Sequence, residues 1–188
     1  MNFITGGVCA AKGFSANGIH CGIRKNREKR DLSLIYSQVK ANAAAVYTTN
    51  LVKGAPLKVT KQHLSDGKAQ AIICNSGNAN TCNANGEFIA DKTCEILANK
   101  LGIEKNDVIV ASTGVIGQPL DITPIQNGIP SLVDGLCDKS EYAEEGILTT
   151  DTVAKSVAVS FTVGGKQCKL GGIAKGSGMI HLNMATML

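Results

Sequence analysis

The stretch SVAVSFTVGGKQCKL, residues 156–170, says more about the fold than any other part of the chain. Every second residue from Val157 to Val163 is a large apolar one, which is the two-residue period of a β-strand. The pair Gly164-Gly165 supplies a turn, because both central residues of a tight hairpin loop need positive φ angles. The stretch therefore predicts an antiparallel β-hairpin.

Outside the hairpin, apolar runs alternate with helical patterns. Strands are predicted at 32–38, 43–49, 69–75 and 107–112, where β-favouring residues are bounded by turn residues. Helices are predicted at 86–102, 122–136 and 140–148, the first with Gly102 as its C-cap. The elements lack the regular strand–helix–strand rhythm of a parallel doubly wound sheet. We therefore expect a single domain over residues 1–188, of a mixed α/β class with α+β character and much antiparallel pairing.

Composition and charge exclude several classes of function. The 188 residues are 44% hydrophobic and 18% charged, as in an ordinary soluble globular domain. The net charge of +4 is modest, and no nucleic-acid motif surrounds the basic run RKNREKR (24–30), so we expect a solvated loop there. No apolar stretch approaches the ~20 residues of a membrane span, and no signal peptide follows Met1. These observations predict a cytoplasmic protein without nucleic-acid or membrane partners.

The seven cysteines give no sign of a metal centre. Their number is odd, and no CxxC pair or histidine-rich spacing of the kind that binds zinc is present. Cys74 lies in an apolar run and Cys94 in a helical pattern, so we expect buried, reduced thiols, with no metal and no cofactor.

Three polar or glycine-rich stretches are candidates for a functional site. NSGNANTCNANG (75–86) is either an irregular loop stabilised by its asparagines or a loop that lines a ligand site. In STGVIG (112–117), the glycine after a strand can turn backbone N–H groups toward a ligand, as an oxyanion hole requires. GGIAKGSG (171–178) has no GK[ST] and is not a phosphate loop. His181 has no Cys or carboxylate at a catalytic spacing, so we expect a structural role.

The stretch MATML (184–188) offers a different kind of chemistry. The hydroxyl of Thr186 is a weak nucleophile without a base, and the threonine's own α-amine can be that base once it begins a chain. The pKa of such an amine is about 7.7–8.0 in reference peptides, so much of it is neutral near neutral pH. An internal Thr186 would gain this amine only by cleavage after Ala185. The residue types alone leave Thr186 an ordinary threonine.

Five separated stretches together favour the chemical interpretation. They are VYTTN with APL (46–57), NSGNAN (75–80), STGVIG (112–117), TTDT (149–152) and KGSGMIHLNMATML (175–188). In order and spacing the chain resembles the N-terminal half of the ornithine acetyltransferases, also called bifunctional glutamate N-acetyltransferases (the ArgJ family). The resemblance extends from about residue 3 to residue 188. One departure is Leu182, where the family usually has proline.

The resemblance implies an enzyme of arginine biosynthesis with the fold of a self-processing N-terminal-nucleophile protein. This chain would be the α half of a precursor that cuts itself between Ala185 and Thr186, and the β half, absent from this sequence, would stay with it in an α2β2 heterotetramer. Thr186 would then carry acetyl from N2-acetylornithine to glutamate and release ornithine. No cofactor is implied, although acetyl-CoA is a second acetyl donor in some members.

The resemblance also assigns site residues. It implies an oxyanion hole at Thr113 and Gly114, and substrate-binding positions at Thr149, Lys175 and Thr186. The ammonium of Lys175 suits a substrate carboxylate.

Two other functions remain open at this stage. A self-processing amidase or aminopeptidase of similar fold would pass its acyl group to water rather than to an amine. A non-catalytic truncated paralogue would only bind or scaffold. Acetyl transfer to glutamate separates the first from an acetyltransferase, and the presence of a β chain separates the second.

Overall fold

The computed structural model describes residues 1–26, 28–176 and 188, which form two β-sheets and four α-helices. The strands are β1 (Asn2–Ile4), β2 (Phe14–Ile19), β3 (Leu32–Asn42), β4 (Lys68–Asn78), β5 (Val108–Val115), β6 (Lys155–Val163) and β7 (Lys166–Ala174). The helices are α1 (Ala55–His63), α2 (Gly86–Leu101), α3 (Ile122–Asp134) and α4 (Glu141–Ile147). The predicted mixed α/β class is confirmed.

The larger sheet has the strand order β2-β3-β4-β5. The first two pairings are antiparallel, and β4 and β5 are parallel. A parallel pair needs a crossover connection, and α2 supplies it between β4 and β5. The helix ends where the sequence predicts, since Gly102 caps it in the left-handed conformation with φ 70°. The carboxyl ends of β4 and β5 consequently meet at one edge of the sheet.

The hydrophobic core lies between one face of this sheet and helices α1, α2 and α3. Its largest fully buried side chains are those of Leu32, Leu34, Ile73, Leu97, Ile125, Ile129 and Leu132. Burying each such side chain contributes about 1.5–3 kcal/mol, so this layer stabilises the sheet strongly. Helix α4 packs on the opposite face, where Ser33 Oγ of β3 donates to the Ala143 carbonyl at 2.9 Å.

The second sheet has the order β1-β6-β7 and contains the predicted hairpin. Gly164 and Gly165 have φ angles of 56° and 77°, as the two-residue turn requires. The two faces of β6 are buried in the reverse of the usual order. The small residues Ala158 and Ser160 are buried, whereas the larger Val157 is 53% exposed.

The large apolar side chains of the second sheet share one exposed face. Register places Phe3 and Leu170 opposite Val159, and hence beside Val157. Phe3 is 81% and Leu170 63% exposed. We call Phe3, Val157, Val163 and Leu170 the outer apolar face. Its size and exposure suit a protein contact rather than solvent.

Several stretches differ from the sequence predictions, which did not include strands β1 and β2. The strand predicted at 43–49 is wrong: β3 ends at Asn42 and the chain continues as an irregular surface segment in which Val46 is 82% exposed. Helix α1 was not predicted, because its buried face carries polar groups that hide the apolar period. Thr60 Oγ1 donates to the Val110 carbonyl at 2.8 Å, and His63 Nδ1 lies 2.8 Å from the Val108 carbonyl oxygen.

The described cysteines are free thiols, and Cys74 and Cys94 are buried as predicted. The expected burial is wrong for the others, since Cys82 is exposed and the remaining four are only partly buried. Burial raises the pKa of Cys94 to about 12, which keeps that thiol protonated and unreactive. Among the described residues, no helix combines the length and the apolar content needed to cross a bilayer.

Candidate functional site

The candidate site lies at the carboxyl ends of β4 and β5. The parallel register pairs Ser76 with Thr113 and Gly77 with Gly114. Paired residues of neighbouring strands point to the same face of a sheet, and the Ser76–Thr113 pair lies on the face opposite to the one covered by α1, α2 and α3. In open sheets with parallel strands, ligands bind beyond the carboxyl ends of the strands. The geometry therefore brings the predicted Thr113–Gly114 pair to a position suited to a ligand.

Only glycine fits at position 114. Its φ angle is 133°, which side chains rarely tolerate. A Cβ atom there would lie 2.4 Å from the Gly77 carbonyl carbon and 2.6 Å from the Asn78 nitrogen. The two strands thus approach more closely at the site than a side chain would allow. This fixes the backbone next to Thr113.

Two buried hydroxyl groups at this strand end have no hydrogen-bond partner among the described residues. Thr113 is 1% exposed and Ser76 0% exposed, yet Thr113 Oγ1 and Ser76 Oγ are both unpaired. An unsatisfied buried polar group costs on the order of 1–3 kcal/mol. Such groups are rare in folded proteins, and each needs an explanation such as a functional role, local strain, or a bound water, ion or ligand.

Lys175 is a buried cation directly after the end of β7. Its side chain is 3% exposed, and Nζ donates to the Gly176 carbonyl at 2.7 Å and lies 3.9 Å from Asp151 Oδ2. Burial lowers the pKa of Lys175, and the charge of Asp151 opposes that effect. Burial also raises the pKa of Cys74 to about 12, against the opposing charge of Lys175. The charge of Lys175 therefore acts on Cys74, which precedes Ser76 by two residues on the same face of β4.

Asp151 organises the residues around Lys175. One carboxylate oxygen, Oδ1, accepts from Lys155 Nζ at 3.0 Å and from the Gly176 N–H at 2.8 Å. The other, Oδ2, accepts from the Thr149 N–H at 3.5 Å. Burial alone would raise the pKa of Asp151, but these hydrogen bonds and the charge of Lys175 hold it below its ordinary value. The structure thus brings Thr149 and Lys175 together around a carboxylate that the sequence analysis did not single out, although it lies in the TTDT stretch.

Arg24 also borders the strand end. A Cβ atom on Gly77 would lie 2.8 Å from Arg24 Cγ, so the arginine stem covers that glycine. The guanidinium donates to the Leu148 carbonyl, and the Arg24 N–H donates to Asp31 Oδ2 at 2.9 Å. The run 24–30 was predicted as a solvated loop. That holds for the exposed Lys25 but is wrong for Arg24, which is half-buried.

The asparagine-rich stretch 75–86 stabilises its own loop. Asn75 Nδ2 donates to the Asn78 carbonyl at 2.9 Å, and Asn78 Oδ1 accepts from the Asn80 N–H at 2.8 Å. Asn80 has a left-handed φ of 48°, and its Nδ2 donates to the Gly86 carbonyl at 2.8 Å. Of the two interpretations left open, the loop-stabilising one accounts for these side chains.

Several predicted residues lie outside the described part of the chain, namely His181, Leu182, Ala185 and Thr186. Leu188 is described, and its carbonyl oxygen accepts from the Lys175 N–H at 3.0 Å. Within residues 1–26, 28–176 and 188, no group of three or more His, Cys, Asp or Glu side chains is placed to hold a metal ion.

The sequence is similar to one protein family along nearly all of its length. The family model described as the ArgJ family matches residues 15–188. The chain is 52% identical, over 191 aligned residues, to the arginine biosynthesis bifunctional protein ArgJ of Gloeobacter violaceus, covering 100% of this chain and 47% of that protein. It is 47% identical to the protein of the same name from Bacillus subtilis, covering 98% of this chain and 45% of that protein. The chain spans about half the length of the curated relatives it matches.

Two crystal structures share the fold. The arginine biosynthesis bifunctional protein ArgJ of Bacillus halodurans aligns with a TM-score of 0.89 at 46% identity, covering 98% of both chains. The ornithine acetyltransferase of Mycobacterium tuberculosis, complexed with ornithine, aligns with a TM-score of 0.88 at 32% identity. That alignment covers 100% of this chain and 99% of the other.

Proposed function

This chain belongs to the ArgJ family, and from that premise we propose that it is the α half of a glutamate N-acetyltransferase of arginine biosynthesis. The enzyme transfers acetyl from N2-acetylornithine to glutamate. One observation supports this function most directly: the chain combines a buried ammonium, Lys175, whose charge acts on Cys74 of β4, with an unpaired buried hydroxyl, Thr113, at the carboxyl ends of β4 and β5. An N-acetylated amino acid carries a carboxylate for the first and an acyl oxygen for the second.

The proposed reaction proceeds in two steps through an acetyl ester. The Thr186 hydroxyl adds to the acetyl carbonyl carbon and gives its proton to the Thr186 α-amine. The carbonyl oxygen becomes an oxyanion stabilised by Thr113 and Gly114. When the C–N bond breaks, ornithine leaves with that proton, and the amine of glutamate later attacks the ester to reverse the sequence. Lys175 and Thr149 hold the substrate carboxylate and backbone during both steps.

The proposal includes a β half cut from the same precursor. The chain's span of about half its relatives' length supports a second half, and the outer apolar face offers a surface for it. We propose that the two halves remain associated, that two such pairs form an α2β2 heterotetramer, and that the enzyme works in the cytoplasm without a resident cofactor. Acetyl-CoA is a second acetyl donor to be assayed with the same protein.

The outer apolar face gives a test of this association. Replacing Leu170 by glutamate should weaken binding of the β half by on the order of tenfold or more, because burying an unpaired carboxylate is costly. The measurement is the fraction of α and β that co-elute in size-exclusion chromatography after processing of the full-length precursor. The matched control is Thr162→Glu, which adds the same charge to an exposed position on the opposite face of the hairpin. Undiminished co-elution of the Leu170→Glu halves would show that β binds elsewhere.

Lys175 gives a test of substrate recognition. In the full α/β enzyme, Lys175→Met should raise KM for N2-acetylornithine and for glutamate alike by roughly 10–100-fold, since both lose a charge-assisted hydrogen bond. Steady-state kinetics of the two half-reactions measure this effect. The control is Lys155→Met, which removes another partner of Asp151. The Lys155 side chain is 48% exposed, so its ion pair with Asp151 contributes little. Equal KM values in wild type and Lys175→Met would assign Lys175 a purely structural role.

One assay separates this function from the alternatives. Purified enzyme given N2-acetylornithine with and without glutamate should form N-acetylglutamate only in the first case. An amidase would release free acetate at the same rate in both. A scaffold protein would form neither N-acetylglutamate nor acetate, and we would expect it to purify without a β chain.

A further inference from the structure

Ser76 carries a buried hydroxyl at this strand end to which neither the family resemblance nor the proposed reaction assigns a role. Its side chain is fully buried, and Oγ has no hydrogen-bond partner among the described residues. An unpaired buried hydroxyl makes the folded state less stable than a satisfied one would. The hydroxyl therefore calls for an explanation beyond folding.

The strand register places Ser76 directly beside Thr113. The two are partners in the parallel β4–β5 ladder, where neighbouring strands run about 4.8 Å apart and paired side chains share a face. Both hydroxyls are unpaired, so neither satisfies the other. Two adjacent donors that find no acceptor within residues 1–26, 28–176 and 188 are arranged to share one acceptor from outside that part of the protein.

On the opposite face of the same strands, two neighbouring polar side chains are hydrogen-bonded to each other. One residue earlier on each strand, Asn75 and Ser112 are also ladder partners. There Ser112 Oγ donates to Asn75 Oδ1 at 2.6 Å, and Asn75 holds the following loop. At this strand end, therefore, the hydroxyl on the opposite face is paired and the two hydroxyls on the site face are not.

The surroundings of Ser76 favour an oxygen with developing negative charge as the missing acceptor. The positive charge of Lys175 acts on the thiol of Cys74, which is two residues, or about 6.6 Å, along β4 from Ser76. Water is excluded from both hydroxyls, and hydrogen bonds to an anion are strongest in such surroundings.

We propose that Ser76 is a catalytic residue that donates, together with Thr113, a hydrogen bond to the acetyl carbonyl oxygen. This rests on the proposed acetyl transfer. When the nucleophile's oxygen bonds to the carbonyl carbon, the C=O π pair moves onto the oxygen, and the hydroxyls of Ser76 and Thr113 both donate to it without giving up their protons. When the C–N bond breaks, that pair re-forms the C=O bond and the amine leaves with the proton taken from the nucleophile.

The test uses the full-length precursor carrying Ser76→Ala, processed to its α and β chains and assayed for transfer from N2-acetylornithine to glutamate. We expect kcat to fall on the order of 100-fold with KM within twofold of wild type, because the hydrogen bond forms fully only with the oxyanion. The melting temperature should be equal to or higher than that of wild type, since the variant loses an unsatisfied buried group. A merely structural serine would show the opposite pattern.

The control variant is Ser112→Ala, which removes a satisfied hydroxyl on the opposite face. It should lower the melting temperature and leave kcat within threefold of wild type. If Ser76→Ala keeps kcat within threefold, or loses activity only through a lower melting temperature, the catalytic role of Ser76 is wrong while the proposed function stands. If the wild-type enzyme transfers no acetyl to glutamate, both the proposed function and the role of Ser76 are wrong.

Discussion

Replacing Thr186 by alanine in the full-length precursor should leave a single uncut chain that transfers no acetyl group. In the proposed mechanism the Thr186 hydroxyl attacks the Ala185 carbonyl, converts the amide to an ester, and water opens that ester. The cut frees the α-amine that then serves as the base, so one residue provides both cleavage and catalysis. Denaturing electrophoresis and intact mass spectrometry measure the cleavage, and the acetyl-transfer assay measures the activity.

Two controls make the Thr186 experiment specific. Thr186→Ser retains a hydroxyl and should still be processed and active, at a reduced rate. Wild-type enzyme incubated with N2-acetylornithine alone should gain one acetyl group on the N-terminal peptide of its β chain. A Thr186→Ala precursor that still splits, or an acetyl group on another residue, would contradict the mechanism.

Local signals in the sequence predicted much of the fold. The hairpin at 156–170 and the end of α2 at Gly102 were both predicted, because a turn or a cap is determined by the φ angles of one or two glycines. The class followed from the absence of a βαβ rhythm, even though one such unit, β4-α2-β5, is present. That unit matters most for function, since it brings Thr113 and Gly114 beside β4.

Other features depended on tertiary contacts that no local pattern encodes. The sequence of β6 shows the alternation of large and small residues. It does not show which of the two sets is buried, because that depends on what packs against each face of the strand. The smaller residues Ala158 and Ser160 are the buried ones. Helix α1 buries Thr60 and His63 because carbonyl groups of β5 accept their hydrogen bonds.

The same limit applies to the candidate site. The resemblance placed Thr113, Gly114, Thr149 and Lys175 at the site, and their roles remain proposals. It did not indicate Asp151, whose position is evident only once the Thr149 and Gly176 N–H groups converge on it. Nor did it indicate Ser76, because an unpaired hydroxyl is visible only when every neighbouring group is placed.

Replacing Thr113 by valine in the full α/β enzyme should lower kcat by about 10²–10³, or ~3–4 kcal/mol of transition-state stabilisation, with KM nearly unchanged. Valine keeps the shape of threonine and removes only the hydroxyl, so packing beside Gly114 is preserved. The hydroxyl has no partner among the described residues, and its loss should not destabilise the fold. Steady-state kinetics and thermal unfolding together measure the two effects.

Thr113→Ser is the matched control, because it restores the hydroxyl and should recover most of kcat. Its missing methyl group leaves a small cavity and should lower the melting temperature slightly, the reverse of the change expected for valine. The hydroxyl hypothesis therefore requires activity and stability to move in opposite directions across the pair. If Thr113→Val retains kcat within threefold of wild type, the oxyanion is stabilised by backbone N–H groups such as that of Gly114, and the side chain of Thr113 has no part in the reaction.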